Sequence, residues 1–306
     1  MPEIIPIGGG KGGAGKSFIA ANLGALIAKK GHQVVLVDLD LGASNLHTFL
    51  GIKNTSGGLN LFMTKQVQQL AQVVVPTHHA NLSFVNSVNC SMQIANLYHA
   101  QKVKLINALK GLSFDYIILD LGAGTHFNTL DFFLTSNKSI LVCTPEPTAI
   151  ENAFRFIKAV YLRKLKQIIH LNAFHKVIKK AVLDEGHDEL GSADIIDLVL
   201  KYDPDHEMLL RESISHFHFK FILNQFRKHM GTGLGEKIEI VCNRHFYSKF
   251  HFLGYVQFDD RVFESVLRKS LFTLSYPDSS ASASLEQIAT QLTGHRTTAV
   301  NLTEAS

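Results

Sequence analysis

The chain has 306 residues, of which 46% are hydrophobic and 18% charged, which excludes a disordered polymer and supplies enough apolar surface for a large core. A formal charge of +4 is modest for this length and selects no class of partner, although the 16 histidines raise it as pH falls through their titration range. Cys90, Cys143 and Cys242 lie far apart without a CxxC pair, which speaks against a disulfide framework or a one-chain thiolate metal site and points to a reducing cytoplasm.

The sequence opens Met1-Pro2-Glu3 and turns apolar at once, without the basic and apolar regions of a signal peptide, and nowhere do about 18 apolar residues run uninterrupted. A cytoplasmic protein is expected, neither secreted nor membrane-spanning. Ile4 to Ile7 reads as a buried strand stopped by Gly8-Gly9-Gly10. Ser17 to Lys30 repeats apolar residues at helical spacing (Ile19, Leu23, Leu26, Ile27) until Gly31 ends it, and Gln33 to Asp38 is again of strand length. This is one βαβ unit of roughly 35 residues, the building block of parallel sheets with right-handed crossovers.

Further buried strands are predicted at Leu82 to Asn86, Tyr116 to Asp120, Ser139 to Cys143, Phe219 to Asn224 and Gly254 to Phe258, with helix-length segments between them. The expected fold is α/β: a doubly wound, mostly parallel sheet with helices on both faces, in one domain spanning residues 1–294, with a flexible tail over 295–306. Eight Lys and Arg fall between Arg155 and Lys180 without an acid, and ten carboxylates follow between Asp184 and Glu212. That contrast reads as a charged helical elaboration at about 160–215, which either pairs with itself on the sheet edge or presents a surface to a partner.

Gly10-Lys11-Gly12-Gly13-Ala14-Gly15-Lys16-Ser17 fits the GxxxxGK[ST] phosphate-loop pattern in full, between a strand and a helix. Glycines allow successive N–H groups to turn inward as an anion nest, and the helix beginning near Ser17 aims its positive end at the same place. Lys16 is expected to reach the β- and γ-phosphates of a nucleotide and the Ser17 hydroxyl to bind Mg²⁺, with Gly10 through Phe18 forming the nucleotide cradle. Lys11 is a second lysine inside the loop; it adds like charge near Lys16 and calls for a compensating anion.

The KGGxGK[ST] form resembles the deviant Walker A motif of the MinD/ParA family of ATPases. The resemblance implies that Lys11 crosses to the nucleotide of a partner subunit in an ATP-dependent homodimer, where it stabilises transition-state charge as an arginine finger does. Val35 to Leu46 is similar to the family's first switch and Asp115 to Gly124 to its Walker B strand and second switch. From this follow roles for Asp120 at Mg²⁺, for Asp40 in orienting the attacking water with help from Asn45, and for Asp38 in supporting the metal shell. Thr144 to Ala153, which contains a Thr148-x-x-Glu151 capping box, resembles the FlhG/FleN flagellar-number branch. Asn224 is then expected near adenine, together with the loop at Tyr276-Pro277-Asp278. The resemblance spans about residues 3–160 and 216–293.

It implies a Mg²⁺-dependent ATPase binding ATP and ADP, cytoplasmic, switching to a homodimer with ATP, and answering to a protein activator or cargo. Two departures qualify this. The stretch Gly294 to Ser306 has no basic apolar face, so anchoring to a membrane through a C-terminal amphipathic helix, as such proteins do, is not expected, and neither is an FlhG-type activating segment ahead of the first strand. Two other readings share the fold: a ParA-type partition ATPase touching non-specific DNA through Arg155 to Lys180, and an iron–sulfur carrier, which would need paired cysteines near the switches. His78-His79 and the His216/His218 pair lack an accompanying acidic ligand set; the second pair leads into a strand.

Overall fold

The structure, a computed structural model, describes residues 1–42, 44–53, 57–87, 97–168, 197, 204–227, 230–231, 233–246 and 248–294. Short apolar runs with no polar alternation form strands that are buried on both sides, as a parallel sheet between two helical layers demands. β1 (Glu3–Gly8), β2 (Val34–Leu39), β3 (Val75–Pro76), β4 (Leu82–Val85), β5 (Tyr116–Leu121), β6 (Ile140–Cys143), β7 (His218–Phe226) and β8 (Lys249–Gln257) make one sheet in the order β3-β4-β2-β5-β1-β6-β7-β8. All neighbours run parallel except the short β3, which is antiparallel to β4.

Successive strand residues point to opposite faces, so the sheet feeds two cores. Val35, Val37, Ile117 and Leu119 face one, covered by the helices His99–Lys110, Phe127–Phe133 and Pro147–Ile168 through Leu105, Leu130, Phe133 and Phe156. Val34, Leu36, Tyr116 and Ile118 face the other, covered by Lys16–Lys29 and Ser280–Thr293 through Ile19, Leu23, Leu285 and Ile288. The expected doubly wound α/β sheet is therefore the observed one. β1 lies between β5 and β6, where the chain stops building toward β3 and starts building toward β8. Ligands of such sheets bind beyond the strands' carboxyl ends at this switch point.

Some boundaries differ from those expected. β8 starts at Lys249 rather than Gly254, because its first residues alternate: Phe250 is buried and Phe252 half-buried while Lys249 and His251 are exposed, and the apolar-run criterion misses that pattern. Phe250 and Phe252 pair with Phe219 and Phe221 of β7, ring centroids 4.8 and 5.1 Å apart, which fixes the register of this edge. The expected capping box at Thr148 does not start its helix. The helix begins at Pro147, the Glu146 carbonyl accepts from the Ala149 and Ile150 N–H groups, and Glu151 instead pairs with Arg155 at 2.7 Å. His218 does open β7. Most of the charged stretch at 160–215, from residue 169 to 203 save Asp197, and the tail 295–306 lie outside the described residues. Among those described, no helix is long and apolar enough to cross a membrane.

Candidate functional site

The loop leaving β1 turns through residues 10–14 and ends in the helix Lys16–Lys29, whose first N–H groups have no partner within the helix. Space alone dictates two of its glycines. A Cβ at Gly10 would come 2.1 Å from the Asn152 carbonyl oxygen, and one at Gly15, where φ is +87°, would come 2.2 Å from the Asn224 amide nitrogen. Lys16 is buried, with its Nζ 3.5 Å from the Lys11 carbonyl; burial lowers its pKa, and the charges of Asp120 and Asp40 counter that only in part. Phe18 anchors the helix start, packing edge-on against Phe49 and Phe272 at 6.5 and 5.6 Å. Lys11 is exposed.

Asp38 and Asp120 are register partners on the adjacent parallel strands β2 and β5, so both carboxylates share one face of the sheet, and both are buried. Asp38 accepts from the Asp40 N–H at 3.1 Å, the Ser44 hydroxyl at 2.6 Å and the Leu46 N–H at 3.2 Å, and thereby braces the segment that carries Asp40 and Asn45. Burial pushes the Asp38 carboxyl up to about 6, against those hydrogen bonds. Asp120 is raised well above the usual carboxylate range, first by burial and then by the charge of Asp38. The Ser17 hydroxyl and Lys16 oppose the rise without cancelling it. Both Asp120 oxygens are buried and lack a well-formed hydrogen bond. The segment after β5 is tied to the phosphate loop by the Gly124 N–H, which donates to the Gly9 carbonyl at 3.1 Å.

A cavity of about 1040 Å³ opens above these groups, large enough for a nucleotide. Gly12, Gly13, Gly15, Lys16, Ser17 and Phe18 form one wall, Asp40 and Asn45 a second, and Gly122, His126, Phe127 and Lys102 a third. The structure thus brings together the loop, Asp40 and Asn45 as the sequence pattern expects. Asn224 and Pro277 are not in the cavity wall. Asn224 lies behind the loop, its Nδ2 donating to the Ala14 carbonyl at 2.8 Å, and Pro277 is exposed beyond the helix Phe272–Ser275. Gly122 falls in the expected second switch, but the rest of the third wall was not legible: Lys102 reads as an ordinary surface lysine, and only its tertiary pairing with Asp131 shows that it is buried.

A triphosphate with Mg²⁺ fits this donor set. Lys16 is a buried cation with no salt bridge among the described residues, and Asp120 a buried acid whose oxygens await a partner. No three His, Cys, Asp or Glu side chains converge among the described residues, so a divalent ion would share its shell with phosphate oxygens, as Mg²⁺ ordinarily does. The competing sites are less suited. Cys143 and Cys242 are buried with thiols pushed up to about 12 by desolvation, the opposite of a ligating thiolate; Cys90 lies outside the described residues. Of the basic run, Arg155 is engaged by Glu151 and Arg163 by Asp131, while Lys176, Lys179 and Lys180 lie outside the described residues.

Residues 5–272 match the CobQ/CobB/MinD/ParA nucleotide binding domain, CbiA. The chain belongs to this family. Its relatives include a putative septum site-determining protein MinD of Chlorella vulgaris, 30% identical over 155 residues (51% of this chain, 55% of that one). The flagellum site-determining protein YlxH of Helicobacter pylori is 31% identical over 158 residues, covering 51% and 53%. The chain thus spans about half the length of the curated relatives it matches. Among solved structures, MinD of Pyrococcus horikoshii complexed with Mg-ADP superposes with a TM-score of 0.62 at 21% identity, over 95% of this chain and 96% of that one. A chain of the MinC:MinD cell division protein complex of Aquifex aeolicus gives 0.63 at 21%, over 99% and 100%. The MinD/ParA resemblance and its P-loop fold are thereby borne out.

Proposed function

We propose that this chain is a Mg²⁺-dependent ATPase that works as a nucleotide-switched homodimer and positions or regulates a cellular structure. The observation that carries this reading is the buried Asp120 carboxylate, without a well-formed partner, set beside Asp38 and close enough to Lys16 and Ser17 to feel both. Burying two acids side by side is unfavourable for folding and is retained where a cation completes the site.

In this reading Gly10 through Ser17 grip the phosphates of ATP with backbone N–H groups, and Lys16 neutralises the β- and γ-phosphates. Mg²⁺, when bound, withdraws charge from the phosphate oxygens, with Ser17 and Asp120 as its protein-side holders and Asp38 and Asp40 behind them. Asp40 orients the attacking water from the cavity wall and Asn45 assists. The exposed Lys11 reaches the nucleotide of a second copy, a contact of a kind worth roughly 10³ to 10⁵ in rate. Hydrolysis by the isolated chain is slow, and a protein activator or cargo completes the cycle. Septum or flagellum placement, the tasks named for its relatives, are the first to test.

Phosphate release separates the parts of this reading. Lys16→Ala abolishes ATP binding, whereas Lys11→Ala binds ATP nearly as well as the parent and loses stimulated turnover; normal turnover in Lys11→Ala contradicts the contact in trans. Non-specific DNA is the second reading, and polarisation with plain duplex DNA at low salt, with and without ATP, tests it: salt-sensitive binding supports it and absence of binding removes it.

A further inference from the structure

The tip of β7 holds the phosphate loop with two successive side-chain amides. Asn224 Nδ2 donates to the Ala14 carbonyl at 2.8 Å, and Gln225 Nε2 donates to the Gly13 carbonyl at 2.9 Å. Gln225 does so from φ +58°, a left-handed conformation that disfavours any residue with a Cβ. It sits where the β7–β8 ladder breaks register, between the pairs Leu223–Tyr255 and Phe226–Gln257. Glycine would adopt this backbone without strain, so a glutamine here is there for its side chain.

The consequence for the loop follows from peptide geometry. Among the described residues no peptide bond is cis, so each N–H points opposite to the C=O of its own peptide plane. Drawing the Gly13 and Ala14 carbonyls toward β7 therefore turns the N–H groups of Ala14 and Gly15 away from it, both to the same side. Gly13 and Gly15, at φ +80° and +87°, could otherwise rotate these planes at little cost.

We propose that Gln225 is a positioning residue of the phosphate loop: with Asn224 it clasps two consecutive carbonyls so that the N–H groups of the intervening peptides are held ready for the phosphates. It does not touch the nucleotide itself. This inference rests on the nucleotide-binding reading above and goes beyond it, since the residue lies outside every phosphate-loop and switch motif.

The test uses the full chain, a fluorescent ATP analogue and Mg²⁺, with thermal unfolding in parallel. Gln225→Gly removes the amide and relieves the backbone. The melting temperature is expected to hold or rise, while ATP-analogue affinity weakens by roughly threefold to tenfold, the worth of one partly exposed hydrogen bond. KM for ATP rises by the same factor with kcat at saturation unchanged. Gln225→Glu keeps the length, loses the donor and weakens binding further. Affinity in Gln225→Gly equal to the parent's overturns the proposal, as does a loss that comes only with a lowered melting temperature. Parent protein that binds no nucleotide overturns the nucleotide reading and this inference with it, which sets that failure apart from the first two.

Discussion

At the scale of single residues, the adjacent acids Asp38 and Asp120 set a trade-off between stability and function. Both have folded-state pKa values raised by burial, so each contributes to stability while protonated and loses that contribution as pH rises through its folded value. For Asp38, moving from 3.8 to about 6, this is on the order of 3 kcal/mol lost between roughly pH 4 and pH 6. Asp120→Asn removes one charge of the pair without breaking a well-formed hydrogen bond. It is therefore expected to raise the unfolding free energy of the nucleotide-free protein at pH 8 by about 1 to 3 kcal/mol, to flatten the fall between pH 4 and pH 6, and to lose Mg²⁺-supported turnover. Urea titrations across that range, with phosphate release on the same samples, check all three. The glycines, Lys16 and the strand-ending acids were legible in sequence, since loop chemistry and strand ends fix where they fall. The bracing of Ser44 and Leu46 by Asp38 was not, because it depends on the path of the loop after β2, which no periodicity sets, and the contact of Gln225 with Gly13 was not, because it joins segments that meet only in three dimensions.

At the scale of elements, one buried ion cluster joins three helices on one face of the sheet. Asp131, on Phe127–Phe133, accepts from Lys102 of His99–Lys110 and from the Arg163 fork of Pro147–Ile168, at 2.6 and 2.8 Å for the latter, and Arg163 also lies over the Phe127 ring at 4.9 Å. Burial pushes the Asp131 carboxyl up, but Arg163 and Lys102 outweigh it and hold it below the usual range. Its stabilisation is therefore present above about pH 4 and lost as pH falls through the lowered value. Asp131→Ala leaves Lys102 buried and uncompensated and is expected to cost about 3 to 5 kcal/mol by chemical denaturation; a change under about 1 kcal/mol would show that the cluster is solvated. Gly10→Ala drives a Cβ into the Asn152 carbonyl and is expected to displace the phosphate loop, lowering ATP affinity more than it lowers the melting temperature. Periodicity and turn residues revealed the interior strands but not the edges. The two residues of β3 include Pro76 and are exposed, so no apolar run marks them, and β8 alternates instead of running apolar.

At the scale of the whole molecule, the sheet brings the loop after β1 and the ends of β2 and β5 to one crevice, and that arrangement is what a nucleotide switch requires. If ATP joins two copies through Lys11, the Asp40→Ala variant, which binds but does not hydrolyse, is expected to double its mass in light scattering with ATP and Mg²⁺ and to remain single with ADP. Partners recovered with the ATP form alone would then name the structure it serves. Every step depends on the loop from Gly10 to Ser17 holding a triphosphate. Calorimetric titration of the parent protein and of Lys16→Ala with ATP and Mg²⁺ tests that most directly: saturable binding of one nucleotide per chain, abolished in Lys16→Ala, is the predicted result, and no binding by the parent, or equal binding by both, would contradict it.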